Sequence, residues 1–119
     1  MVSVSEAFDL ARTGNREAAT NALKQEFMRL QSPEQRVELC EWIANCFENL
    51  NDYGQAAEWY ELAGALSLSE TGSPLANALM ALNEYERALD CRAKGGDDGE
   101  SLEACERMIR DLRHVYSAS

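Results

Sequence analysis

The 27 positions from Val37 to Ala63, VELCEWIANCFENLNDYGQAAEWYELA, leave few options for the local fold. Just before them, Ser32-Pro33-Glu34-Gln35 combines an N-cap serine, a proline at the first helical position and a glutamine at the third. Serine and glutamine there satisfy orphan backbone N–H groups, and the proline has no N–H to lose. The helix so begun runs to about Asn49. Its Leu39, Cys40, Ile43, Cys46, Phe47 and Leu50 recur at the three-and-four spacing of a single buried stripe. Asn51-Asp52 then marks a turn, and Asp52 with Gln55 opens a second helix. Ala56, Ala57, Trp59, Tyr60, Ala63 and Leu66 form its packing face. So short a turn makes the two helices antiparallel neighbours, and alanine at 56 and 63 lets them approach closely.

The elements Cys40-x2-Ile43-Ala44-x2-Phe47 and Ala56-x3-Tyr60-x2-Ala63, with the gap between Phe47 and Ala56, resemble one tetratricopeptide repeat. That family stacks helix-turn-helix units of about 34 residues, each burying its face against the next. The resemblance is carried in sequence by residues 37–66. It implies an all-α chain of six helices in three antiparallel helix-turn-helix pairs, wound as a TPR-like right-handed α–α superhelix. An irregular six-helix bundle is the alternative.

The rest of the chain divides accordingly, as one domain over 1–119. Repeat 1 spans about 3–31. In it Ser3 and Glu6 read as a capping box, Phe8, Leu10 and Ala11 follow, and Gly14 stops a short helix. Asn15 is placed to cap the next helix, which carries Ala18, Ala19, Ala22, Leu23, Phe27 and Leu30. Repeat 2 spans about 33–67, and a polar linker is expected from Ser67 to Ser73. Repeat 3 spans about 74–116. Ser73-Pro74 opens its first helix as Ser32-Pro33 opened the third. Leu75, Leu79, Leu82 and Leu89 form one stripe of that helix, and Ala78, Ala81, Tyr85 and Ala88 another, which predicts burial on two sides. Asp97 with Glu100 reads as a further capping box rather than a cation or phosphate loop. A last helix carries Leu102, Cys105, Ile109, Leu112 and Tyr116.

Charge narrows the function. Eleven basic against 21 acidic residues give −10, which disfavours nucleic acid and anionic membrane surfaces as partners. The N-terminal MVSVSEAFDL carries an acid where a secretion signal needs an apolar run, so a cytoplasmic location is expected. Cysteines 40, 46, 91 and 105 form no C-x-x-C pair and lie inside helical patterns. They read as reduced thiols, and no metal or other cofactor is expected. The single histidine, His114, sits on the polar side of the last helix, with no nucleophile, base and orienting group assembled around it. The chain reads as a non-enzymatic binding module.

A candidate binding face lies on the helix from Pro33. Glu34, Glu38, Glu41, Asn45 and Glu48 recur at four, three, four and three positions, opposite Ile43 and Phe47, with Trp42 at the margin. Like charges at such spacing cost a helix roughly 0.2–0.5 kcal/mol per pair. The resemblance places the first helix of each pair along the concave groove. Where the family clamps a terminal carboxylate with lysine, arginine and asparagine, this chain has Glu38, Glu41 and Trp42, and Asn45 alone fits. The expected partner is therefore a basic or amphipathic peptide or helix of another protein. Leu79, Met80 and Asn83 offer a second candidate surface. Small acidic three-repeat proteins of this size also resemble bacterial chaperones that hold secretion substrates. The alternative function is a structural subunit of a permanent homo- or hetero-oligomer, and less favoured still is a metal or thiol site.

Overall fold

The structure, a computed structural model, describes residues 6, 9, 10, 12–69, 73–96 and 99–118. Within them lie five α-helices and no strand: α1 (Arg16–Arg29), α2 (Pro33–Asn49), α3 (Tyr53–Leu68), α4 (Pro74–Lys94) and α5 (Glu100–Ala118). The all-α class is as expected. The first of the six expected helices falls largely outside the described residues, as does the Asp97 half of the last capping box.

Helix starts follow the sequence signals closely. Ser32 Oγ accepts from the Gln35 N–H at 3.5 Å, Asp52 Oδ1 from the Gln55 N–H at 3.5 Å, and Ser73 Oγ from the Ala76 N–H at 3.4 Å. Each relieves a first-turn donor that the helix cannot satisfy itself. Asn15 departs from expectation, for its side chain makes no capping bond to α1. The turn from α2 to α3 rests on Asn51, whose φ of 60° is a left-handed conformation that asparagine adopts more readily than most residues. With that bend in place the Asp52 N–H returns to the Phe47 carbonyl at 2.9 Å.

The expected linker from Ser67 needs correction. Ser67 belongs to α3, is fully buried, and donates its Oγ hydrogen to the Ala63 carbonyl at 2.9 Å. Such a bond back along the helix satisfies a hydroxyl without leaving helical geometry.

Cross-helix contacts place the elements in two layers. Glu48 accepts from Cys91 across 43 positions, and the charge of Glu41 acts on Glu84 across the same interval. Both pairs share that offset, so α2 and α4 lie side by side and run parallel for at least two turns. Behind them, α3 meets α1 through Phe27 and Trp59, whose rings cross edge to face at 6.0 Å. Helix α5 packs on α4, where the Cys105 thiol donates to the Tyr85 carbonyl at 3.2 Å. The short dimension of the molecule is 19 Å, against about 10–12 Å for one helix with its side chains.

Small residues set how near the layers come. Ala56 and Ala63 are fully buried, as their place in the pattern predicts. A close approach lies one residue on, at Gly64, where a Cβ would stand 2.7 Å from Tyr85 Cε2. An ion pair between Glu61 and Arg92 reinforces the same α3–α4 contact, with Arg92 Nε donating to Glu61 at 3.0 Å. The core proper runs through Leu23, Cys40, Ile43, Phe47, Tyr60, Cys91, Ile109 and Leu112.

Burial of α4 is less complete than its two stripes predict. Ala78, Ala81, Leu82, Tyr85 and Ala88 are buried, whereas Leu75, Leu79 and Met80 are each at least 40% exposed. The apolar pattern runs one turn or more beyond the surface that α3 and α5 cover.

Candidate functional site

Parallel α2 and α4 leave a cleft of about 670 Å³ between them, lined by Asn45, Glu48, Tyr60, Asn83, Glu86, Arg87 and Asp90. Tyr60 of α3 is its buried floor, and the Arg87 guanidinium lies 5.9 Å over that ring. The walls are exposed polar side chains: Asn45 from α2, and Asn83, Glu86, Arg87 and Asp90 from α4. Two of the acids have local cations. Glu86 meets Arg113 of α5 at 3.4 Å, and Asp90 meets Lys94 at 3.0 Å.

Glu48 is more than a groove-lining acid. Its carboxylate accepts from the Tyr60 hydroxyl at 2.9 Å and from the Cys91 thiol at 3.1 Å, tying α2, α3 and α4 at one point. Burial first, and then the bond to Glu48, push the Tyr60 phenol above its usual range and the Cys91 thiol up to about 12. Both donors keep their protons at neutral pH, as the arrangement requires.

The other thiols behave likewise. Burial, with Glu84 and Glu41 adding to it, pushes Cys40 up to about 12; burial, with Glu61 adding, takes Cys105 to about 11; and burial also raises Cys46. All four are free, and among the described residues no three of the His, Cys, Asp and Glu side chains converge in a metal-ligating group. Among those residues no helix is long and apolar enough to cross a membrane.

The acidic stripe of α2 thus divides. Glu34, Glu38 and Asn45 are exposed, and Trp42 is 46% exposed at the margin. Glu41 and Glu48 are half-buried, and Glu48 is turned onto α3 and α4, so the acids of the stripe differ in exposure and in partners. Asn45, Glu48 and Asn83 are brought together in the cleft; Leu79 and Met80 lie earlier on α4, outside its lining.

Sequence reasoning missed Glu84, Glu86, Arg87, Asp90 and Cys91. A signal existed: Glu84 and Cys91 are spaced as Glu41 and Glu48 are, so two helices set side by side would match them pairwise. Lacking was the knowledge that α2 and α4 are the helices so placed.

A second hollow of about 300 Å³ lies between α1 and α3, lined mainly by Phe27, Met28, Trp59 and Leu62, with Lys24, Gln55 and Glu58 at its rim. It is apolar where the α2–α4 cleft is polar. Compared with protein-family models, with curated proteins and with solved structures, the chain matches none.

Proposed function

We propose that this chain is a non-enzymatic, TPR-like interaction module of the cytoplasm that receives a peptide or helix of another protein in the cleft between α2 and α4. The observation that carries this reading is the cleft itself, about 670 Å³, with amides from Asn45 and Asn83 on opposite walls and a tyrosine floor. Amides that both donate and accept suit the polar backbone of a bound segment. Parallel first helices, with α3 behind them, support the repeat-like reading of the architecture.

The partner segment is basic or amphipathic. Glu48, Glu86 and Asp90 outnumber Arg87 in the lining, although the pairing of Glu86 and Asp90 with Arg113 and Lys94 makes the bias milder than the sequence implies. Clefts with a net acid lining attract cationic ligands and raise their on-rates, an effect that salt suppresses.

The test is selection of a random displayed 12-residue peptide library on the folded protein. Enriched peptides should carry lysine or arginine and weaken with salt. They should lose about tenfold in affinity, or about 1.4 kcal/mol, on Asn83→Ala combined with Glu86→Gln, while Glu58→Gln on the far side leaves them unchanged. Peptides indifferent to the cleft substitutions, or no enrichment, would remove the reading. A second reading, a structural subunit, is favoured by exposed Leu75, Leu79 and Met80 on the first turns of α4. It requires self-association in sedimentation that Leu79→Glu abolishes.

A further inference from the structure

The floor of the α2–α4 cleft is suited to a cation. Tyr60 reaches it from α3, 3% exposed, and its hydroxyl donates to the Glu48 carboxylate at 2.9 Å. A phenol that donates to a carboxylate gains electron density in its ring, and the face of an electron-rich ring attracts positive charge. Glu48 itself adds to the pull. Of the three acids that line the cleft, Glu86 and Asp90 are each in an ion pair, with Arg113 and Lys94. Glu48 accepts from two neutral donors, Tyr60 and Cys91, which orient its charge without cancelling it.

The seat is already taken. Arg87 of α4 carries its guanidinium 5.9 Å over the Tyr60 ring, within the range at which a cation is drawn to an aromatic face. Nothing else fastens it, for among the described residues that guanidinium makes no ion pair and no hydrogen bond. The other cations nearby are tied to acids: Arg113 to Glu86, Lys94 to Asp90 and Arg92 to Glu61. Arg87 is exposed and lines the cleft, so it can leave the ring for solvent without breaking a second bond.

A charge so placed marks what the floor accepts. We propose that the face of Tyr60 is a cation subsite, held in the free chain by Arg87 and in the complex by a lysine or arginine side chain of the partner, which displaces it. The incoming cation then stands over the ring with Glu48, Glu86 and Asp90 around it. Arg87 acts as a built-in competitor, lowering the partner's affinity by the fraction of time that the ring is free. The inference rests on the reading of the cleft as the site of a basic segment, and adds to it the seat and the exchange.

Proton NMR of the full chain, titrated with N-acetyl-arginine amide, tests it, since protons over an aromatic face shift upfield. In the free protein the Arg87 δ-methylene should lie upfield of that of the exposed Arg110. As the probe binds, the Arg87 signal should return downfield while the probe's δ-methylene moves upfield, with one midpoint. Arg87→Gln should tighten the probe about threefold, as removing an occupant present about two-thirds of the time would give. Arg113→Gln removes one positive charge beside the cleft without emptying the ring, and should tighten it less. Equal tightening by the two substitutions would overturn the proposal, because charge alone would then account for it. A probe that binds neither the parent nor Arg87→Gln would also overturn it. So would displayed peptides that respond to the cleft substitutions while the Arg87 signal stays in place, an outcome that keeps the cleft and removes the exchange.

Discussion

Two glutamates of α2, seven positions apart, face α4 in the same way and meet opposite fates. Glu48 accepts hydrogen bonds from a phenol and a thiol and joins three helices. Glu41 has as its neighbour Glu84, a buried acid whose Oε2 has no hydrogen-bond partner among the described residues. Residue type, helix and spacing are shared. The difference lies in what stands 43 positions later, a cysteine in one case and an acid in the other. A carboxylate tethers a seam when its neighbours are neutral donors and strains it when its neighbour is another acid.

The largest expected effect comes from removing the ionisable group at the strained end. Glu84 in the folded chain is raised from its ordinary value of 4.5 to about 7, so between those values the folded chain holds more protons than the unfolded one. Stability therefore falls as pH rises through that window and stays reduced above it. Glu84→Gln should consequently stabilise the protein at pH 8, by at most about 3 kcal/mol, and change little at pH 4. Urea melts at the two pH values check this. Equal gains at both would show that the substitution acts through packing rather than charge.

At the other end the sign reverses. Glu48→Gln replaces one acceptor oxygen by a donor, leaving either Tyr60 or Cys91 facing an N–H group. It should cost roughly 1.5–3 kcal/mol, with little dependence on pH between 6 and 8. A stabilising Glu48→Gln would erase the contrast between the two ends.

Tyr60→Phe is milder, since Cys91 continues to donate to Glu48, and a loss of about 1 kcal/mol in thermal melts is expected. The Glu84 transition should survive it. Smallest of all is a difference in thiol protection. Cys40 lies beside the Glu41–Glu84 pair and Cys91 beside Glu48. The ratio of Cys40 to Cys91 labelling by iodoacetamide, read by mass spectrometry, should rise by about twofold between pH 6 and 8, as a small opening free energy would give. A constant ratio would mean that both ends open together.

Much of the framework is written locally. Ser32-Pro33, Asp52 with Gln55, and Ser73-Pro74 mark helix starts that the structure keeps, because a cap depends only on residues within one turn of it. The stripes of α2 and α5 likewise announce their buried faces: Cys40, Ile43 and Phe47, then Cys105, Ile109 and Leu112. Asn45 and Glu48 of the cleft were legible as members of a polar face.

What the sequence by itself could not set was which side chains meet across helices. It offered Ala56 and Ala63 as a close approach but not Gly64, which stands against Tyr85, because interhelical distance depends on rotation of both helices at once. It placed Ser67 in a linker, since a serine's burial is decided by a carbonyl one turn back and by what covers it. It showed the acids of α2 as one stripe, while the tertiary structure made Glu48 a tether and set Glu41 beside the buried Glu84. Helices are made by neighbours in sequence. The fate of a charge on a helix is fixed by neighbours in space, and for α2 those neighbours arrive 43 residues later.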